Sequence, residues 1–118
     1  MQVTLNTVEH ELLRGAWDEP NVHACIVCAS ASCPNLCETA FTADGLAAQM
    51  AERMHRFVAN PTKGLLFAAD GTLRLSRIFL WFWDDFGGRG DAAAYAVAAA
   101  RSAQSATLTR TLTLPLTL

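Results

Sequence analysis

Five side chains capable of shared chemistry stand near one another in the first part of the chain: Glu9, His10, His23, Cys28 and Cys33. A cysteine attacks as its thiolate, so a nearby base or cation must pull its pKa down from about 8.5 before much of that form exists at neutral pH. Cys33, at the end of a small-residue loop and followed by Pro34, is the first candidate nucleophile, with Cys28 in reserve. His23 or His10 would be the base, and Glu9 or Asp85 would orient it. The reaction class would be thiol-based acyl transfer or amide hydrolysis.

The same residues admit plainer roles. Cys28 and Cys33 bracket Ala-Ser-Ala-Ser, four small residues that let the backbone turn tightly, so a local disulfide, a thiol pair or a metal corner fits between them. Cysteine is also among the most buried residue types and often only packs. His23, His10, Cys28 and Cys33 are acceptable zinc ligands by type but not by spacing, and no metal or cofactor is assigned. Ser30 and Ser32 lack the Gly-x-Ser-x-Gly surroundings of a serine nucleophile. Arg14 and Asp85 could form an ion pair of architectural value.

The elements that must position these groups follow from local pattern. Asn6 with Glu9 predicts a helix start, and the helix runs from about Thr7 to Arg14 with Val8, Leu12 and Leu13 on its apolar side and His10 and Arg14 sharing a face. Gly15 ends it, and Trp17 to Asn21, with Pro20, reads as a turn. Val22 to Val27 or Cys28 is a continuous apolar run, expected to be a buried strand. On a strand His23, Cys25 and Val27 face one way and Cys28 the other, which removes meaning from the Cys25-x-x-Cys28 spacing. Thr42 is expected to cap a helix reaching about Asn60, with Leu46, Met50, Met54 and Phe57 along a core stripe and His55 on the solvated side. Leu65 to Ala69 and Thr72 to Leu75 form a hairpin about a two-residue Asp70-Gly71 turn. Ser76 caps an aromatic helix from Arg77 to Phe86, Gly87 to Gly90 make a flexible break, and an alanine-rich helix follows from Asp91 to about Gln104. From 107 to 118 leucine and threonine alternate, as in a half-buried edge strand or a low-complexity tail interrupted by Pro115.

Bulk properties bound the rest. A chain of 118 residues with 52% hydrophobic content suits one domain. Nine basic residues against eleven acidic ones give a formal charge of −2, with no basic field for nucleic acid or anionic lipid. No apolar run approaches the roughly 18 residues needed to span a bilayer, and no secretory leader is evident, so the chain as written is expected to be cytoplasmic. The four cysteines crowd between positions 25 and 37 and cannot link distant segments.

Several motifs in order, Val3 to Arg14, Asn21 to Ala24, Val27 to Pro34 and Ile78 to Phe86, resemble those of the domain-of-unknown-function 547 family (DUF547) over about residues 3 to 90. The residues matching the pattern are Glu9, His10, Arg14, His23, Cys28, Ser30, Ser32, Cys33, Pro34, Trp81 and Asp85. The resemblance implies a known domain type with no established activity, here lacking its N-terminal part, in which case the native precursor could have another location. Cys25 and Cys37 inherit no role from it, and the Leu-Thr tail departs from the family's usual ending.

The expected architecture is α+β, with helices on a small mixed sheet built from the His23 strand and the hairpin, residues 1–106 forming the domain. The leading functional expectation is a binding or structural module, with a protein partner able to add to the C-terminal strand; the alternative is a cysteine-dependent hydrolase or acyltransferase.

Overall fold

The structure, a computed structural model, describes residues 2–113, with side chains to residue 102. Helix α1 opens at Leu5–Thr7 and continues directly as wider π-helical turns over Val8–Leu13. Its cap is Thr4 rather than the expected Asn6: Thr4 has extended backbone geometry, and its hydroxyl accepts from the Thr7 N–H at 3.1 Å. Neither segment contains a buried residue.

The strand expected from Val22 does not form. Pro20–Ala24 is instead a short 3-10 helix with Pro20 in its first turn, where a fixed φ and a missing N–H cost nothing. Glu19 caps it by accepting from the Asn21 N–H at 3.0 Å. Val22, His23 and Ala24 are all buried in sequence, as a tight turn pressed into a core allows and a one-sided strand does not. The two-face parity assigned to His23, Cys25 and Cys28 falls with the strand. Residues 25 to 45 then follow an irregular path, tightened where the Cys33 N–H meets the Ser30 carbonyl at 3.1 Å.

Helix α2, Leu46–Ala59, carries the expected stripe, with Met50, Met54 and Phe57 buried and Val58 beside them. It begins later than Thr42. The Thr42 hydroxyl accepts from the Gly45 N–H at 3.1 Å, and the Gln49 side chain accepts in return from the Thr42 N–H at 2.9 Å, so Thr42 caps the turn that leads in. Strands β1, Leu65–Phe67, and β2, Leu73–Leu75, pair antiparallel with Leu65 opposite Leu75 and Phe67 opposite Leu73. Among the described residues this two-stranded ribbon is the whole sheet, so the class is α+β with an antiparallel rather than a mixed sheet. Its loop is Ala69-Asp70-Gly71, one residue longer than expected: Gly71 N–H reaches the Ala68 carbonyl, Ala68 N–H reaches that of Thr72, and Gly71 takes φ +85°.

The aromatic segment divides into α3, Ile78–Trp81, and a 3-10 turn, Trp83–Phe86, with the break at Phe82. Ser76 does cap it, accepting from the Ile78 N–H at 3.2 Å while donating to the Ser32 carbonyl at 2.6 Å. Gly87, at φ +95°, closes the turn, and α4, Arg89–Thr113, starts at once, two residues earlier than expected. Its Ala92 and Ala96 are buried, and small side chains there let α4 lie close against α2 and the aromatic segment. The backbone stays helical through Thr113, so residues 107–113 are helix and not the anticipated strand; residues 114–118 of that expectation lie outside the described ones. Alanine-rich sequence propagates a helix once nucleated, and leucine does not oppose it. Phe57, Phe79, Phe86, Val58, Cys33 and Ala24 meet in one core. No helix of the described residues is long and apolar enough to cross a membrane.

Candidate functional site

Asp85, in the 3-10 turn after α3, receives two partners from distant parts of the chain. Arg14 gives it a forked contact, Nε to Oδ2 at 2.6 Å and Nη2 to Oδ1 at 3.3 Å. His23 Nε2 lies 2.7 Å from the same Oδ2. An ionised carboxylate only accepts, so His23 carries a proton on Nε2 and donates it. The His23 ring is 3% exposed and stacks on Phe82 with centroids 4.5 Å apart. The Arg14 guanidinium lies 4.4 Å from the centroid of that same ring. Phe82 thus fixes both groups that hold Asp85, because flat cations and imidazoles gain from a ring face.

The cluster extends outward along α1. Arg14 Nη1 lies 2.7 Å from His10 Nδ1, which accepts because the guanidinium can only donate. His10 Nε2 in turn stands 4.0 Å from Glu9 Oε2. The wide π-helical turns, closed by Arg14 N–H on the Glu9 carbonyl at 3.0 Å, set the spacing of these three residues.

Electrostatics follow from burial and pairing. Desolvation dominates at His23 and lowers its pKa below 6.5, against the upward pull of the Asp85 bond, so the ring is neutral at pH 7. At Asp85 desolvation pulls upward, but the hydrogen bonds from Arg14 and His23 and their charges outweigh it and hold the carboxyl below its ordinary 3.8.

The two candidate cysteines take a different place. Cys28 and Cys33 form a disulfide with their Cα atoms 5.8 Å apart, the first cysteine exposed and the second 1% exposed in the core. Lys63 Nζ donates to the Cys33 carbonyl at 3.0 Å. Among the described residues neither histidine hydrogen-bonds to either cysteine: His23 is engaged by Asp85 and His10 by Arg14. No group of three or more His, Cys, Asp or Glu among the described residues is placed to share a metal ion.

The remaining sequence candidates scatter. Ser30 and Ser32 shape the disulfide loop, Ser32 N–H donating to Ser30 Oγ at 3.2 Å. Pro34 is buried beside it, and Trp81 is 48% exposed, away from the cluster's hydrogen bonds. His55, expected to be solvated, is half-buried in a groove between α2 and α4. Cys25 ends the first 3-10 turn, where burial pushes its thiol up to about 11, whereas hydrogen bonds from Thr39 lower that of Cys37. Two contributors carried no sequence signal: Phe82, whose shared stacking is a tertiary event, and Tyr95, whose hydroxyl donates to Asn21 Oδ1 at 2.5 Å and ties the His23 turn to α4.

Taken together, fold and site define an α+β domain with a closed imidazole–carboxylate–guanidinium cluster beside a disulfide-bridged loop. Residues 1–58 match the profile of the family described as "Protein of unknown function, DUF547", so over that span the chain is similar to DUF547. The match takes in Glu9, His10, Arg14, His23, Cys28 and Cys33, and it ends before the aromatic segment that holds Asp85. No curated protein and no solved structure matches the chain significantly.

Proposed function

We propose that this DUF547-like chain is a binding or structural module in which the histidine cluster and the disulfide serve architecture. The observation that carries the reading is that Cys33 is bonded to Cys28 inside the core, while His23 and Arg14 are held together on Asp85. A catalytic cysteine needs a free thiolate. Here the Cys33 sulfur is in a disulfide.

One observation favours the cysteine-dependent hydrolase or acyltransferase as a second reading. A neutral imidazole 2.7 Å from a carboxylate is the base-and-orienter pair of a catalytic triad, and reduction of the Cys28–Cys33 disulfide would free a thiol. Thiol labelling of reduced protein at neutral pH separates the two. A module leaves Cys33 slow to react and indifferent to His23→Ala once refolding is controlled for. A nucleophile reacts faster at Cys33 than at any other cysteine and loses that advantage in His23→Ala.

A further inference from the structure

Beyond the disulfide loop, residues 34 to 38 face the second half of α2 and the turn after it across a cleft of about 170 Å³. Arg53, Arg56 and Lys63 line it against a single carboxylate, Glu38. Arg56 is matched by Glu52 at 2.8 Å, but among the described residues Arg53 and Lys63 bond to backbone alone. Arg53 Nη2 donates to the Asn35 carbonyl at 3.2 Å, and Lys63 Nζ donates to that of Cys33. Each bond uses one donor of a group that has several, and neither cancels a charge. Leu36, 78% exposed, supplies apolar surface at the cleft, whose floor meets the buried Pro34 and Phe57. The loop that forms one side is held in place by the Cys28–Cys33 bond immediately before it.

We propose that this cleft binds a small organic carboxylate, its anionic end taken by Arg53 and Lys63 and its carbon skeleton laid against Leu36. The planar guanidinium fork suits a carboxylate, and a cleft of this volume suits a metabolite of a few carbons rather than a drug-sized ligand. Glu38 opposes the anion and sets a weak affinity. The proposal deepens the binding-module reading by naming a ligand class, and rests on it.

Succinate, succinamide and inorganic phosphate titrated into the oxidised full chain, followed by amide chemical shifts, test it. Succinate should move resonances between residues 53 and 63 while succinamide does not. Arg53→Gln and Lys63→Gln should each weaken succinate by about tenfold, the usual effect of losing one charge-assisted hydrogen bond. Glu38→Gln should tighten it, a gain that misfolding cannot imitate. Absence of succinate shifts, equal response to succinamide, phosphate binding as tight as succinate, or no gain in Glu38→Gln overturns the ligand class. Such a failure with Cys33 still unreactive leaves the module reading standing; selective, His23-dependent labelling of Cys33 defeats that reading separately.

Discussion

Arg14 and Asp85, 71 positions apart, are joined by two hydrogen bonds, and among the described residues these are the only hydrogen bonds from residues 2–14 to the remainder of the protein. Because α1 buries no side chain fully and only half-buries Val8 and Leu13, this fork and the Arg14–Phe82 contact are central to its attachment. Arg14→Met keeps an unbranched chain beside Phe82 and removes the fork. The expected cost is about 1–2 kcal/mol, below that of a fully buried pair because both side chains retain some exposure. Amide exchange over residues 5–13 should accelerate more than the urea midpoint falls. Unchanged protection there would show that α1 is held by something else.

Asp85→Ala should destabilise more than Arg14→Met, by about 2–4 kcal/mol, since it strands the His23 N–H in a site that is 3% exposed as well as freeing Arg14. Asp85→Asn should recover part of the loss, because an amide oxygen can still accept from His23. Urea unfolding of the three proteins at pH 7 gives the order; Asn costing as much as Ala would mean that charge, not the His23 bond, dominates.

Gly64 and Gly71 should respond very differently to alanine. A Cβ at Gly64 would sit 1.9 Å from the Phe57 carbonyl oxygen, a backbone atom that cannot swing aside, so Gly64→Ala should cost about 3 kcal/mol or more. At Gly71 nothing lies within 4 Å, and only the φ of +85° is unfavourable, which costs about 1–2 kcal/mol. Thermal midpoints would decide, and a tolerant Gly64 would contradict the close packing of the α2 end against β1.

How far the chain could be read before folding depended on the range of each interaction. The Met50, Met54, Phe57 stripe and the Ser76 cap are local patterns that burial then satisfies, and they were legible. The Arg14–Asp85 pair and the Cys28–Cys33 link were among the options that residue type allowed, and the fold chose between them. Val22 to Val27 was misread because a short apolar run has the same look as a buried strand or a buried turn, and Glu19-Pro20 decided for the turn. The contact between His23 and Asp85 was one of two orienting options that residue type allowed; choosing it over Glu9 depends, across 62 positions, on where Phe82 breaks the aromatic helix, which no local spacing announces.

The cysteines should divide into three kinetic classes. Alkylation of unreduced protein should label Cys37 first, because Thr39 stabilises its thiolate, and Cys25 slowly, because burial raises its pKa to about 11. Cys28 and Cys33 should label only after reduction, with intact mass rising by two hydrogens first. Closing so short a loop is worth about 2 kcal/mol in the unfolded chain, so reduced protein should unfold at lower urea. Four alkylations without reductant would remove the disulfide and return Cys33 to the list of free thiols.

Acid should weaken the fold in two separate steps, and His23 should own the first. Its folded pKa lies below 6.5, so between those values the unfolded chain binds a proton that the folded one refuses. The stabilisation is therefore whole above about 6.5 and drains away as pH falls through the lowered folded pKa. Asp85 has the same sign at a lower pH: its carboxyl is held below 3.8, so its contribution is present above that value and is lost as pH drops through the folded pKa. Urea midpoints from pH 8 to pH 3 should show a decline beginning near 6.5 and a second near 3.8. His23→Gln, with a neutral side chain that can still donate to Asp85, should flatten the first decline and spare the second. A first step that survives the substitution would assign it to another group and would mean that the imidazole is not desolvated against Phe82 as its stacking requires.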